Sequence, residues 1–208
     1  MFLCKRYQPV CFMKKAEATR QAILQKAFEL TYINGYQTTS IDTIIAATQV
    51  TKGAFYYHFQ NKEEMGAAII NEILKPTLKG NFTEVLQSAQ NPLDAIYDLM
   101  QHLLLKNDFL KVEYGCPAGN LTGEMTPWNP VFTKLLMELT EDWIALITQA
   151  IIKGKAAGFV RAAVNARQVA LFVMSGYWGI RSFGKLGKSK QVYLTYLKEL
   201  KNYLHTLK

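Results

Sequence analysis

Between residues 51 and 62 the chain reads TKGAFYYHFQNK, and the chemistry on offer there is contact with a polyanion rather than bond-making. Thr51 supplies a hydroxyl at a helix start, where it and the unpaired backbone N–H groups of the first turn can meet phosphate. Ser40 offers the same at the start of the preceding helix. Lys52 brings a cation, and Gly53 lets the backbone approach the floor of a groove. Tyr56 and Tyr57 present flat faces with polar tips, His58 adds a donor, and Lys62 stands at the next helix start at phosphate height. Phe55 and Phe59 lie four apart and belong to a core. Tyr56 and Tyr57 cannot both point inward beside Phe55 on so short a helix. His58 taken alone would read as a core residue, and only its neighbours turn it toward nucleic acid.

No other constellation carries chemistry. His58, His102 and His205 are far apart, and no H-x-x-x-H or C-x-x-C spacing suggests a metal site. The GKAAG run from Gly154 lacks the preceding strand and the spacing of a phosphate loop. Cys116 and His102 could in principle pair as nucleophile and base, but nothing in the sequence orients them. The expectation is a protein that is not an enzyme and needs no metal and no cofactor.

The elements that must position these side chains are helices almost throughout. Over residues 16–34, Ile23, Ala27 and Leu30 recur at helical spacing, and Gly35 follows as a terminator. Ser40 caps a second helix carrying Ile41, Ile44 and Ile45, and Thr51 caps a third, short one reaching Phe59. Asn61 opens N-K-E-E, a capping-box-like start for a longer helix interrupted near Pro76. Asn91-Pro92 and Cys116-Pro117 each place proline at a first helical position. Long helices follow over 130–157, from Asn165, and over 190–207. No strand, repeat or low-complexity segment is evident. The predicted architecture is all-α: a helix-turn-helix DNA-binding domain over 16–63 and a larger α-helical unit over 64–208.

Composition fits this reading. Half of the residues are hydrophobic, enough for a packed core. The net charge is +8, and residues 1–63 hold 8 of the 24 basic but only 4 of the 16 acidic residues. Half of the positive excess therefore falls in under a third of the length, which suits an anionic partner. Three cysteines, Cys4, Cys11 and Cys116, show no disulfide pattern and fit a reducing cytoplasm. No apolar run approaches the roughly 18 residues of a membrane span, so no membrane partner is expected. Residues 1–15 read as a disordered or spurious extension, with Met13 as the true start.

The run TTSIDTIIAATQVTKGAFYYHFQNKEEM resembles the DNA-binding signature of the TetR family of bacterial regulators, sharply over about residues 18–65. The resemblance implies that Thr51, Tyr57, His58 and Lys62 hold the DNA backbone while Lys52, Gly53 and Tyr56 face bases. It also implies a homodimer on a palindromic double-stranded operator, acting as a repressor released by a small-molecule effector. Two positions depart from the family pattern: Gln49 replaces the glycine of the turn, and Ile45 replaces a small residue on the packing face of the second helix. A left-handed backbone at Gln49 would cost about 1 kcal/mol.

Beyond residue 65 the resemblance is architectural, and it implies that residues 64–208 form a ligand-binding and dimerisation domain. It implies an effector pocket, for which Met100, Leu104, Phe109, Cys116, Met125, Trp128 and Trp143 are the candidates, each taken singly being also ordinary core. For pairing, the helices at 130–157 and 165–184 are favoured, with Ser175, Gly176, Gly179 and Gly184 as small residues that allow close approach; the plainer alternative is internal packing. Cys116 sits in YGCPAGNL, and a GC…NL turn resembles a branch of the family in which that cysteine senses electrophiles or oxidants. At a helix N-terminus its thiolate would be stabilised; alternatively it is a buried, inert cysteine. The alternative function is a helical ligand-binding or adaptor protein without operator binding.

Overall fold

The computed structural model describes residues 15–208, apart from the side chains of Leu78, Lys79, Asn81, Phe82, Glu84, Gln87 and Ser88. The expected extension therefore lies outside the described residues, except that Lys15 already opens a helix. The described residues are helical and contain no strand. They fall into two units, divided between Ile69 and Ile70. That is later than the division at residue 63 expected from the sequence, because Met65, Gly66 and Ala68 are buried and their helix packs on the first one.

The first unit holds α1 (Lys15–Asn34), α2 (Ile41–Thr48), α3 (Lys52–His58) and α4 (Lys62–Ala68). Ile23, Leu24, Ala27 and Phe28 of α1 are buried with Ile44 of α2 and Phe55 of α3. Each boundary has a local cause. Gly35 ends α1 at φ 96°, its N–H on the Thr31 carbonyl at 2.9 Å. Ser40 and Thr51 cap α2 and α3, their hydroxyls accepting from the N–H of Thr43 at 3.0 Å and of Ala54 at 3.1 Å. Asn61 Oδ1 accepts from Glu64 N at 2.8 Å, and Glu64 reaches back to accept from Gln60 N at 2.7 Å.

A π-helical turn, Ile69–Leu74, precedes α5 (Lys75–Ser88), which carries Pro76 in its first turn. Proline has no N–H to donate back along the helix, so the widened turn sits just ahead of it. The second unit continues with α6 (Pro92–Gln101), a second π-helical turn (His102–Lys106), α7 (Pro117–Met125), α8 (Pro130–Ala156), α9 (Ala166–Gly187) and α10 (Gln191–His205). Asparagine side chains cap α6, α8 and α9 at Asn91, Asn129 and Asn165. α8 runs along α9, and Phe132, Trp143 and Ile147 of α8 are buried with Val173 and Tyr177 of α9.

Gly154 of α8 is where the start of α6 comes closest. A Cβ there would collide with the Pro92 ring and stand 3.0 Å from Val160 Cγ2. Neither neighbour is a flexible chain end that could swing away. Gly154→Ala is therefore expected to destabilise the protein by about 1–3 kcal/mol, read as a lowered melting midpoint in thermal denaturation.

Candidate nucleic-acid interface

α3 has only seven residues, too few to persist by helix propensity. It is held because Phe55 and Phe59, four apart, are both fully buried, their ring centroids 5.9 Å apart. Arg20 of α1 lies over the Phe59 ring at 4.9 Å. With that face fixed, the opposite one must point outward. Tyr57 is 77% exposed, Tyr56 is 43% exposed, and Lys52, Gly53 and Thr51 are exposed as well. His58 is half-buried, its ring edge-on to Tyr57 at 4.9 Å. Ser40 is exposed at the start of α2.

Lys62 is half-buried and anchored to the turn after α1. Its Nζ donates to the Gln37 carbonyl at 3.2 Å and lies 4.5 Å from the centre of the Tyr36 ring. The Tyr36 hydroxyl in turn donates to the Lys62 carbonyl at 2.7 Å. Burial, reinforced by the Glu63 carboxylate, holds the Tyr36 phenol well above the usual tyrosine range, so it stays a donor. Tyr36 has no signal in the sequence; nothing in its local pattern distinguishes it from any other aromatic after a helix.

Gly53 carries information of a different kind. A Cβ built there would meet only Thr51 Oγ1, at 4.0 Å. Nothing inside the protein requires glycine at this position. Its missing side chain leaves room on the outside, on the same face as Tyr56 and Lys52.

The turn between α2 and α3 adopts the backbone expected of its replaced glycine. Gln49 has φ 56° and ψ 23°, a left-handed conformation in a residue with a Cβ. Ile45 is half-buried and accommodated beside the fully buried Ile44.

The chain matches the model of the bacterial regulatory proteins of the tetR family over residues 23–69, and that of the tetracyclin repressor-like C-terminal domain over 92–199. The second match alone spans more than half of the molecule. The chain belongs to the TetR family. Among its relatives, the helix-turn-helix repressor DhaR of Mycobacterium sp. (strain GP1) is 27% identical over 160 residues, 77% of this chain and 79% of DhaR. A regulator encoded in the lacX 3′ region of Lactococcus lactis is 33% identical over 124 residues; that match covers 60% of this chain and 63% of the relative. The repressor NemR of Escherichia coli K12 is 25% identical over 191 residues, 90% of this chain and 94% of NemR. A TetR-family regulator from Cytophaga hutchinsonii has the same fold, with a TM-score of 0.85 at 21% identity over 94% of this chain and 98% of that one. This TetR-family protein is therefore a DNA-binding transcriptional regulator.

In the second unit the seven effector candidates do not share one environment. Met100, Leu104, Cys116, Met125 and Trp143 are buried, and Phe109 is half-buried. Trp128 is 76% exposed and borders an open groove of about 730 Å³ with Pro127, Pro130 and Met137. Trp128 thus lies apart from the buried candidates, in the link between α7 and α8. Among the described residues no group of three or more metal-ligating side chains occurs, and no helix is long and apolar enough to cross a membrane.

Cys116 precedes α7 as expected, but its thiol is not the activated one that a helix N-terminus suggests. Burial pushes its pKa up, against the lowering influence of the Gly119 and Ala118 N–H groups and the Arg181 guanidinium. Desolvation wins because the thiol is fully enclosed. Arg181, which no local pattern in the sequence marks out, is itself fully buried on α9. It donates to the Lys111 carbonyl at 2.9 Å and to the Gly115 carbonyl, holding the turn before Cys116.

The left-handed Gln49 yields a direct expectation. Gln49→Gly relieves a strained backbone and should stabilise the first unit by about 1 kcal/mol. Chemical denaturation should show a raised midpoint with an unchanged slope.

Proposed function

We propose that this regulator is a cytoplasmic repressor that binds a palindromic operator as a homodimer and is released by a small-molecule effector or by modification of Cys116. The observation that carries the DNA-reading part is the outward face of α3, bare at Gly53 and lined by Lys52, Tyr56 and Tyr57. In this reading Lys52, Gly53 and Tyr56 meet base edges, while Ser40, Thr51, Tyr57, His58 and Lys62 meet phosphates. The caps support the assignment, since Ser40 and Thr51 place two helix N-termini on the exposed surface.

Pairing through α8 and α9 is supported by a stripe on α9. Phe172, Ser175, Gly179, Ser182, Phe183 and Leu186 recur at three- and four-residue spacing and are all exposed. A Cβ at Gly179 would meet nothing, so that position is open to a second helix. Gly176 and Gly184 have a different role from the pairing expected of them. Their would-be Cβ atoms run into the rings of Tyr196 and Tyr193 of α10, so they serve internal packing.

A gel shift with the DNA upstream of the protein's own gene tests the reading, and the complex should weaken steeply as salt rises. Gly53→Ala separates DNA contact from folding. The added methyl fits the protein and removes a glycine from a helix, so the melting midpoint should rise slightly. DNA affinity should nevertheless fall at least about tenfold, the loss of one good base-edge contact. Equal affinity in the two proteins would remove Gly53 from the interface.

Modification of Cys116 has its own test. With its pKa raised, the thiol stays protonated near neutral pH, and its thiolate fraction grows as pH climbs toward that raised value. A quinone challenge should release DNA from the wild type faster at about pH 8.5 than at about pH 7, since the thiolate fraction rises steeply with pH below a thiol's pKa, and should spare Cys116→Ser. An identical response in both proteins would take Cys116 out of the mechanism.

A further inference from the structure

Lys52, the first residue of the recognition helix, has an ionic partner that the reading of α3 leaves unexplained. Its Nζ lies 3.5 Å from Oδ1 of Asp42, the second residue of α2. Both side chains are largely solvent-exposed, 67% and 79%. An ion pair so exposed contributes little to stability, and a carboxylate in the first turn of α2 gains at most about 1 kcal/mol from the helix dipole. The DNA partner gives a reason against one. In a helix-turn-helix the first of the two helices crosses the DNA backbone, and an acidic side chain near its N-terminus is repelled by phosphate unless it finds a donor.

The major groove has such a donor beside acceptors that suit lysine. A G·C pair presents guanine N7 and O6, both acceptors, next to the cytosine N4 amino group, a donor. A lysine and a carboxylate held side by side present the complementary order. We propose that Asp42 is a specificity-determining residue: together with Lys52 it reads one G·C base pair in each operator half, Lys52 donating to guanine O6/N7 and Asp42 accepting from cytosine N4. This rests on the DNA-binding reading of α3 and adds a residue of α2 to it. The ion pair in the free protein keeps both groups together and aimed outward. On the operator each exchanges its partner for a base edge, while phosphate alone offers nothing to Asp42. A carboxylate in this position therefore penalises binding to unmatched sequence.

Selection from a pool of random-sequence DNA duplexes tests this whatever the operator sequence is. The wild type should enrich a two-fold symmetric motif with a fixed G·C pair in each half. Asp42→Ala should enrich the same motif with the preference at that one position weakened, Lys52 alone still favouring guanine. Asp42→Asn should move the position toward A·T, because an amide pairs with adenine N6 and N7. Titration of single duplexes then gives the size. Replacing the G·C pair by A·T should weaken wild-type binding at least about tenfold and Asp42→Ala binding several-fold less than that, the part that Lys52 alone supplies. A motif unchanged in Asp42→Ala, or a uniform rise in affinity for every duplex, overturns the proposal, the latter showing a charge effect on phosphate alone. If the wild type binds no duplex at all, the DNA-binding reading fails and takes the proposal with it. Thermal denaturation of both variants, expected to match the wild type at this exposed site, verifies that they are folded.

Discussion

A seven-residue helix has no independent stability, so α3 exists only while Phe55 and Phe59 remain buried against α1 and its neighbours. That constraint decides more than whether the helix forms. Two aromatic anchors one turn apart leave a single possible rotation, and Tyr56, Tyr57, Lys52 and Gly53 acquire their outward direction from it. The remaining features of the first unit hold the ends of this short segment in place. Gln49 bends the chain into it, Thr51 caps it, and the capping exchange between Asn61 and Glu64 begins α4 immediately after it. Lys62 and Tyr36, linked to each other's segments, tie that junction back to the end of α1.

The parts of this structure that are legible in the sequence are those decided within a few residues. Caps at Ser40, Thr51, Asn61, Asn91 and Asn165 need only a short polar side chain ahead of a periodic run, and all five form. The strained turn at Gln49 is legible in another way, through the glycine that the family pattern has there. What escapes depends on neighbours far along the chain. Whether a glycine on α9 faces open space or a tyrosine ring of α10 is set by helix rotation, so Gly179 is open while Gly176, three residues before it, lies against Tyr196. Trp128 stands exposed on the α7–α8 link, bordering a groove, and nothing in its local sequence separates it from the buried candidates. The Lys52–Asp42 pair joins residues on different helices and has no signature in either segment alone.

Cys116 shows how two correct local statements can give a wrong sum. Helix N–H groups and a guanidinium do favour a thiolate, and both surround this sulfur. Complete enclosure opposes them and prevails, because removing an anion from water costs more than a few partly satisfied donors return. The sequence contains the donors but not the enclosure, which is made by distant helices.

Arg181 has a consequence for how the molecule is made. The two carbonyls it holds, of Lys111 and Gly115, lie 70 and 66 residues before it in the chain. During synthesis the segment carrying Cys116 is complete long before its clamp leaves the ribosome. The turn before Cys116 therefore cannot be clamped until the chain as far as α9 has been made. The setting of Cys116 is thus a property of the whole second unit and not of the YGCPAGNL segment alone.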